Sequence, residues 1–213
     1  MSVFSSDDKE KIASAIGAAE SSTSGEIVVV VARESDDYRF IALLWAALIA
    51  LTLPLVLIYL PQLTGWRLAF SGPEMLYLIQ LVWFAVLAFL FQLPALGYGL
   101  VPRSLKARRV RRAAIEQFIV QDLHTTKKRT GVLIFVSMAE RQAEIVADDG
   151  IAQMVDNSVW QQALDELTCE IDKGHPANGF IKAISRCGEI MAAHFPPGAH
   201  DPNEHPNHLI ELE

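Results

Sequence analysis

Three aspartates near the end of a strand-like segment are the residues whose type and spacing could do chemistry. Asp148 and Asp149 directly follow an apolar run, and Asp156 precedes the next helical pattern. Carboxylate oxygens clustered at a strand end are ligands that calcium and magnesium prefer. If the chain holds calcium or magnesium, the sequence predicts the site at Asp148, Asp149 and Asp156. The favoured interpretation gives these residues structural roles instead: Asp148, Asp149 and Gly150 make a turn, and Asp156 or Asn157 caps the following helix.

The C-terminal segment carries a second set of metal-ligating side chains. Imidazole and carboxylate groups bind transition metals, so a surface metal site is one interpretation of the segment. Its prolines and polar spacing instead favour an extended tail over residues 199–213 that lies on the domain or stays mobile. The residues concerned are His194, His200, His205 and His208, with Asp201 and Glu204 between them.

Motifs of the common enzyme classes are missing from the sequence. There is no G-x-S-x-G elbow, Walker loop, H-E-x-x-H pair, C-x-x-C pair or dinucleotide fingerprint. Cys169 and Cys187 lack the spacing of a zinc or redox motif, so we expect two reduced, packed thiols. These observations favour a protein that is not an enzyme, without excluding one.

Two uncharged apolar runs require a different environment from the rest of the chain. Residues 40–66 and 75–102 contain no charged side chain. Each run exceeds the roughly 20 residues that cross a bilayer core at about 1.5 Å rise per residue. We predict a transmembrane hairpin over residues 39–102, with spans at about 40–60 and 75–97. Neither span holds an ionisable residue that could serve transport.

A basic cluster follows the second apolar run and predicts the orientation of the hairpin. The loop between the runs has only two charged residues, Arg67 and Glu74. The basic end should therefore stay in the cytoplasm, together with both termini. The net charge of -7 argues against nucleic acid as a partner. We therefore assign the cluster to membrane topology and to contact with anionic lipid. Its members are Arg103, Lys106, Arg108, Arg109, Arg111 and Arg112.

The polar segments on either side of the hairpin predict a single α/β domain. Residues 27–31 form a β-branched run without polar alternation, as expected of an inner strand covered on both faces. Its partners must come from beyond the hairpin, where residues 132–136 and 143–147 resemble a strand pair. Helical patterns surround these strands. The prediction is a three-layer α/β/α sandwich formed by residues 1–38 and 103–198, interrupted in sequence by the hairpin.

The soluble segments resemble the TPM-domain family. The resemblance rests on "TSGEIVVVVARESDDYR", "TGVLIFVSMAERQAEIVADDGI" and "VWQQALDELTCEIDKGHPANGFIKAI". That family includes a thylakoid-lumen phosphatase-like protein, a photosystem II repair factor and an auxiliary protein of a nicotinic receptor, and this chain is most similar to its bacterial membrane-protein branch. The resemblance implies an α/β/α sandwich. It also implies either acid phosphatase activity with calcium binding, or a role in assembly, repair or partner binding.

One departure from the family pattern affects the predicted site. Members often carry Gly-x-Gly-Leu-Glu after the second strand of the pair, whereas this chain has Asp148 at the first glycine and Ala152 at the glutamate. The resemblance therefore implies a site that has lost one carboxylate, for which Asp148 and Asp149 are partial substitutes.

The leading hypothesis is a non-catalytic module anchored by two spans in a bacterial inner membrane. It would serve assembly, maintenance or binding of a membrane-protein partner, with the lipid bilayer as its other partner. The alternative is a divalent-metal-dependent phosphatase or hydrolase that uses the acidic loop. A small channel subunit formed by self-association of the hairpin ranks third, because the spans show neither polar residues to join helices nor a clear small-xxx-small seam.

Overall fold

The strand-like segments on the two sides of the apolar runs pair in one sheet. The computed structural model describes residues 4–64, 72–93, 98–126, 128–197 and 206–212. Within these ranges four strands form the sheet in the order β3-β2-β1-β4. Their bounds are β1 Glu26–Ala32, β2 Gly131–Ser137, β3 Gln142–Ala147 and β4 Leu209–Leu212.

The register of the sheet confirms that segments far apart in the sequence belong to one domain. Strand β1 is parallel to β2, with Ile27 beside Val132. Strand β3 returns antiparallel to β2, with Ala147 beside Val132, and so forms the predicted hairpin. The strands that hydrogen-bond to the backbone of β1 are thus both formed by residues after the apolar segment.

The C-terminal segment was only partly predicted. Residues 209–212 form β4, which pairs in parallel with β1 and places Leu209 beside Val29. At this end the predicted extended tail lies on the domain, where four residues add an edge strand that the sequence did not predict. His194 ends a helix and His208 precedes β4. The predictions for His200, Asp201, Glu204 and His205 concern residues outside the described part of the chain.

Three helices cover one face of the sheet. Alternate side chains of β1 and β2, such as Val29 and Ile134, are fully buried against Ile16, Trp160 and other residues of these helices. A capping box begins the first of them, with Ser5 and Asp8 bonding each other's backbone N–H groups at 3.2 and 3.1 Å. The three are α1 Ser6–Glu20, α6 Asn157–Asp172 and α7 Pro176–His194.

A single helix covers the opposite face. Helix α4, Arg103–Val120, buries Val110, Ala114 and Phe118 against the other alternate set of strand residues, which includes Val30 and Phe135. Between β3 and α6 lies a single helical turn, α5 Asp149–Ala152. The fold is therefore α/β with three layers, as the sequence predicts. Both thiols are free, but the expectation that both are packed is wrong for Cys169, which is exposed, whereas Cys187 is buried.

The apolar segment forms a separate compact unit, Asp37–Leu105, made chiefly of two long helices. Helix α2 runs Arg39–Thr64 and α3 runs Pro73–Phe91. Both are long and apolar enough to cross a membrane, and only 17% and 6% of their most apolar stretches are buried. Helix α3 ends before the predicted limit of the second span, of which residues 94–97 lie outside the described part of the chain.

Two expectations about this hairpin are wrong. A small-xxx-small seam does exist, because Ala42, Ala46 and Ala50 lie one turn apart along α2 and are at most 5% exposed. A polar residue is also present, since Gln80 lies within α3. The alanines were hard to recognise because larger apolar residues surround them on all sides of an almost uniformly hydrophobic helix.

Candidate functional site

The acidic loop lies where β3 passes into α5. The N–H of Asp148 donates to the Gly131 carbonyl at 2.9 Å and so ends the β3 ladder beside the start of β2. The Asp148 carboxylate then accepts from the N–H of Asp149 at 2.7 Å and caps α5. This geometry agrees with the turn-and-cap interpretation of the sequence.

Arg129 is the residue at this loop that the sequence analysis missed. Its Nη2 lies 3.3 Å from Asp148 Oδ1 and 3.1 Å from Asp149 Oδ2, so that one guanidinium bridges both carboxylates. The hydrogen bond to Asp148, and then the charges of both aspartates, raise the pKa of Arg129. The signal was available in the antiparallel β2–β3 pair, because that pairing brings the basic residues before β2 next to the residues after β3.

Gly150 allows the two loops to approach this closely. A Cβ at this position would lie 2.5 Å from the Arg129 carbonyl oxygen and 2.8 Å from that of Lys128. Arg129 itself has a left-handed backbone, with φ of 53°. The glycine of the family pattern that this chain retains is therefore the one that leaves room for the arginine-bearing loop.

Asp156 has a separate structural role. Its Oδ1 accepts from the N–H of Ser158 at 2.8 Å and caps α6. The backbone hydrogen bond from Ser158 is the main cause that lowers the pKa of Asp156. The carboxylate is thus committed to a helix start other than the one capped by Asp148.

The three predicted ligands do not fit a resident calcium or magnesium ion. Among the described residues, no group of three His, Cys, Asp or Glu side chains is placed to hold a metal. Calcium and magnesium ions need six or more oxygen ligands. The carboxylates of Asp148 and Asp149 are instead paired with the Arg129 guanidinium. One oxygen, Asp148 Oδ2, is buried without a hydrogen-bond partner, which is too little for a coordination shell.

The basic cluster is largely engaged within its own domain. Arg109 Nη1 lies 2.5 Å from Asp36 Oδ2. Arg112 Nε lies 2.9 Å from Glu116 Oε1, one turn further along α4. Arg111 Nη1 lies 3.7 Å from Glu144 Oε1, where burial is the main cause of a raised Glu144 pKa and the arginine opposes it. Because these pairs are partly exposed, each adds little stability, and the lipid contact of the cluster stays a prediction.

A family model and a solved structure are similar to this chain. Residues 100–190 match the family model described as TPM domain. No curated protein sequence matches the chain. The chain is similar in fold to a solved NMR structure, the BA42 protein of the psychrophilic bacterium Bizionia argentinensis. That comparison has a TM-score of 0.60 and 19% identity, and it covers 98% of this chain and 94% of the other.

Proposed function

From the match of residues 100–190 to the TPM-domain model, we propose a non-catalytic module that two helices anchor in a bacterial inner membrane. The module serves assembly, maintenance or binding of membrane-protein partners on the cytoplasmic side. The observation that carries the proposal is the exposure of α2 and α3. Helices this apolar, with mean hydropathy of 2.7 and 2.0, are almost unburied within their own unit, so water is not their natural solvent.

The acidic loop supports the absence of catalysis. A hydrolytic site would need carboxylates available to a cation or to water, whereas Asp148 is nearly buried and caps α5. Asp149 is exposed but paired with the same guanidinium that holds Asp148. One positive charge thus offsets one of the two negative charges, and both carboxylates are paired within the domain, which leaves the loop a structural role.

The outer surface of α4 is the part of the domain best suited to a membrane-protein partner. Ile115, Ile119 and Val120 are 43%, 54% and 65% exposed on this helix. These three side chains are apolar and exposed, so the surface fits an apolar segment of a partner.

One experiment separates this proposal from a metal-dependent hydrolase. Full-length protein in detergent is assayed for phosphate release from p-nitrophenyl phosphate, with calcium, with magnesium and with chelator. We expect the wild type to match the double variant Asp148→Asn, Asp149→Asn under all three conditions. Metal-dependent turnover that the double variant lacks would contradict the proposal and establish the hydrolase.

A photo-crosslinking residue at position 119 tests the partner surface in native membranes. Met154, which is 60% exposed elsewhere on the domain, is the matched control position. We expect an adduct with an integral membrane protein from position 119 and none from 154. Equal adducts from both positions, or none from 119, would count against α4 as the partner surface.

A further inference from the structure

Gln80 is a polar residue without a partner in the middle of a helix long enough to cross a membrane. It lies near the centre of α3, between Pro73 and Phe91. Its side chain is partly buried, and no residue in the described ranges forms a hydrogen bond with its carboxamide. A carboxamide has two N–H donors and an oxygen acceptor, so several hydrogen bonds are left unmade.

Gln80 is one of the residues that line a groove on the hairpin. The volume of the groove is about 280 Å³, and Ala47, Ala50 and Leu51 of α2 line one side. Tyr77, Leu81 and Phe84 of α3 line the other side together with Gln80. The walls are apolar apart from the Gln80 carboxamide and the Tyr77 hydroxyl, and the small side chain of partly exposed Ala47 leaves space for another helix to approach.

The solvent around the hairpin determines which groups can hydrogen-bond to the Gln80 carboxamide. In water, solvent would satisfy it, but a bilayer core holds no water to do so. Polar side chains in membrane helices therefore hydrogen-bond across to other helices. This step rests on the proposed function, which places α2 and α3 in the membrane.

We propose that a second copy of this chain packs against the groove, so that the two Gln80 carboxamides hydrogen-bond to each other across a two-fold axis. A carboxamide is self-complementary because it is both donor and acceptor, and in a two-fold interface the same residue meets its own copy. The groove carries no charge, so it does not call for an acidic or basic partner. A second copy supplies both a carboxamide that pairs with Gln80 and an apolar surface that packs against the groove.

Disulfide crosslinking in native membranes tests the face that is used. Full-length protein carries Cys169→Ser, which removes the exposed thiol, and a single new cysteine at position 81 or 86. Leu81 lines the groove, whereas Val86 is nine residues from Tyr77 and so points to the opposite side of α3. We expect a covalent dimer from Leu81→Cys and none from Val86→Cys.

Association of labelled protein in liposomes tests the carboxamide. Replacing Gln80 by Leu should weaken self-association about 3- to 30-fold, the range typical of hydrogen bonds between membrane helices. Gln92→Leu is the matched control, because Gln92 is the exposed cap at the end of α3 and should leave association unchanged.

The outcomes separate this inference from the function on which it rests. Protein that stays in the membrane but remains monomeric, or that associates equally well with Gln80 or Leu, overturns the dimer alone. Crosslinking that is equal at positions 81 and 86 also overturns it. Protein recovered in the soluble fraction overturns both the dimer and the membrane anchor.

Discussion

Glu20→Gln should make the protein more stable at neutral and alkaline pH. Glu20 ends α1, and its Oε1 accepts from the N–H of Ile27 at 2.9 Å. Burial, followed by the nearby charge of Glu26, raises the pKa of Glu20 to about 7, although hydrogen bonds from Ile27 and Asn207 oppose the rise. The end of α1, the start of β1 and the distant residue Asn207 therefore meet at this one carboxyl group.

The sign of the effect follows from proton binding. The pKa of the group is 4.5 without these surroundings and about 7 in the fold, so between these values the folded protein keeps a proton that the unfolded chain loses. The contribution to the free energy of unfolding is fully present below 4.5 and is lost as pH rises through 7. A shift of this size is worth up to about 3.4 kcal/mol, and partial exposure of the side chain reduces the expected effect to about 1–2 kcal/mol.

Thermal unfolding of the full-length protein in detergent measures this effect. Gln keeps an oxygen that accepts from Ile27 but carries no charge, so Glu20→Gln should raise the Tm at pH 8 by about 2–8 °C and change it much less at pH 5. Glu10→Gln, an exposed change on the same helix, should leave the pH dependence as it is. An equal effect of Glu20→Gln at both pH values would refute the reasoning.

Two packing predictions follow from the same structure. Gly150→Ala should cost about 1–3 kcal/mol of stability, because the new Cβ meets the carbonyl oxygens of the Arg129 loop, whereas Gly99→Ala meets nothing within 4 Å and should cost far less. Chemical denaturation measures both, and equal losses would contradict the close approach of the two loops. Ile16→Ala should cost about 2–5 kcal/mol because the side chain is fully buried, and Ile119→Ala, which is 54% exposed, should cost little. A small loss at Ile16 would show that α1 does not pack into a core formed by residues after the hairpin.

The layers of the domain were predictable because their signals are local and repeated. An unbroken apolar run such as residues 27–31 requires cover on both faces, and this requirement led to a sandwich with β2 as partner. Helical spacing likewise identified the faces of α6 and α7 that pack on the sheet. The start of α6 was readable to within one residue, since Asp156 and Asn157 are both typical N-cap residues.

The features that were missed depend on tertiary context. Strand β4 has only four residues in a polar segment, and its pairing with β1 is what makes it a strand. Arg129 was overlooked because its partners lie across the β2–β3 pair rather than next to it in sequence. The predicted metal ligands are close in sequence, but Asp148 and Asp156 accept hydrogen bonds at the starts of two different helices.

Thiol labelling in oriented membranes tests the central proposal, an α/β domain held on the cytoplasmic side by the hairpin. The native chain supplies the probe, because Cys169 is exposed while Cys187 is buried and its burial raises its pKa to about 12. A membrane-impermeant maleimide should label Cys169 in inverted inner-membrane vesicles and leave it unlabelled in intact spheroplasts, with Cys169→Ser silent in both. Labelling in intact spheroplasts, or recovery of the protein without membranes, would contradict the account.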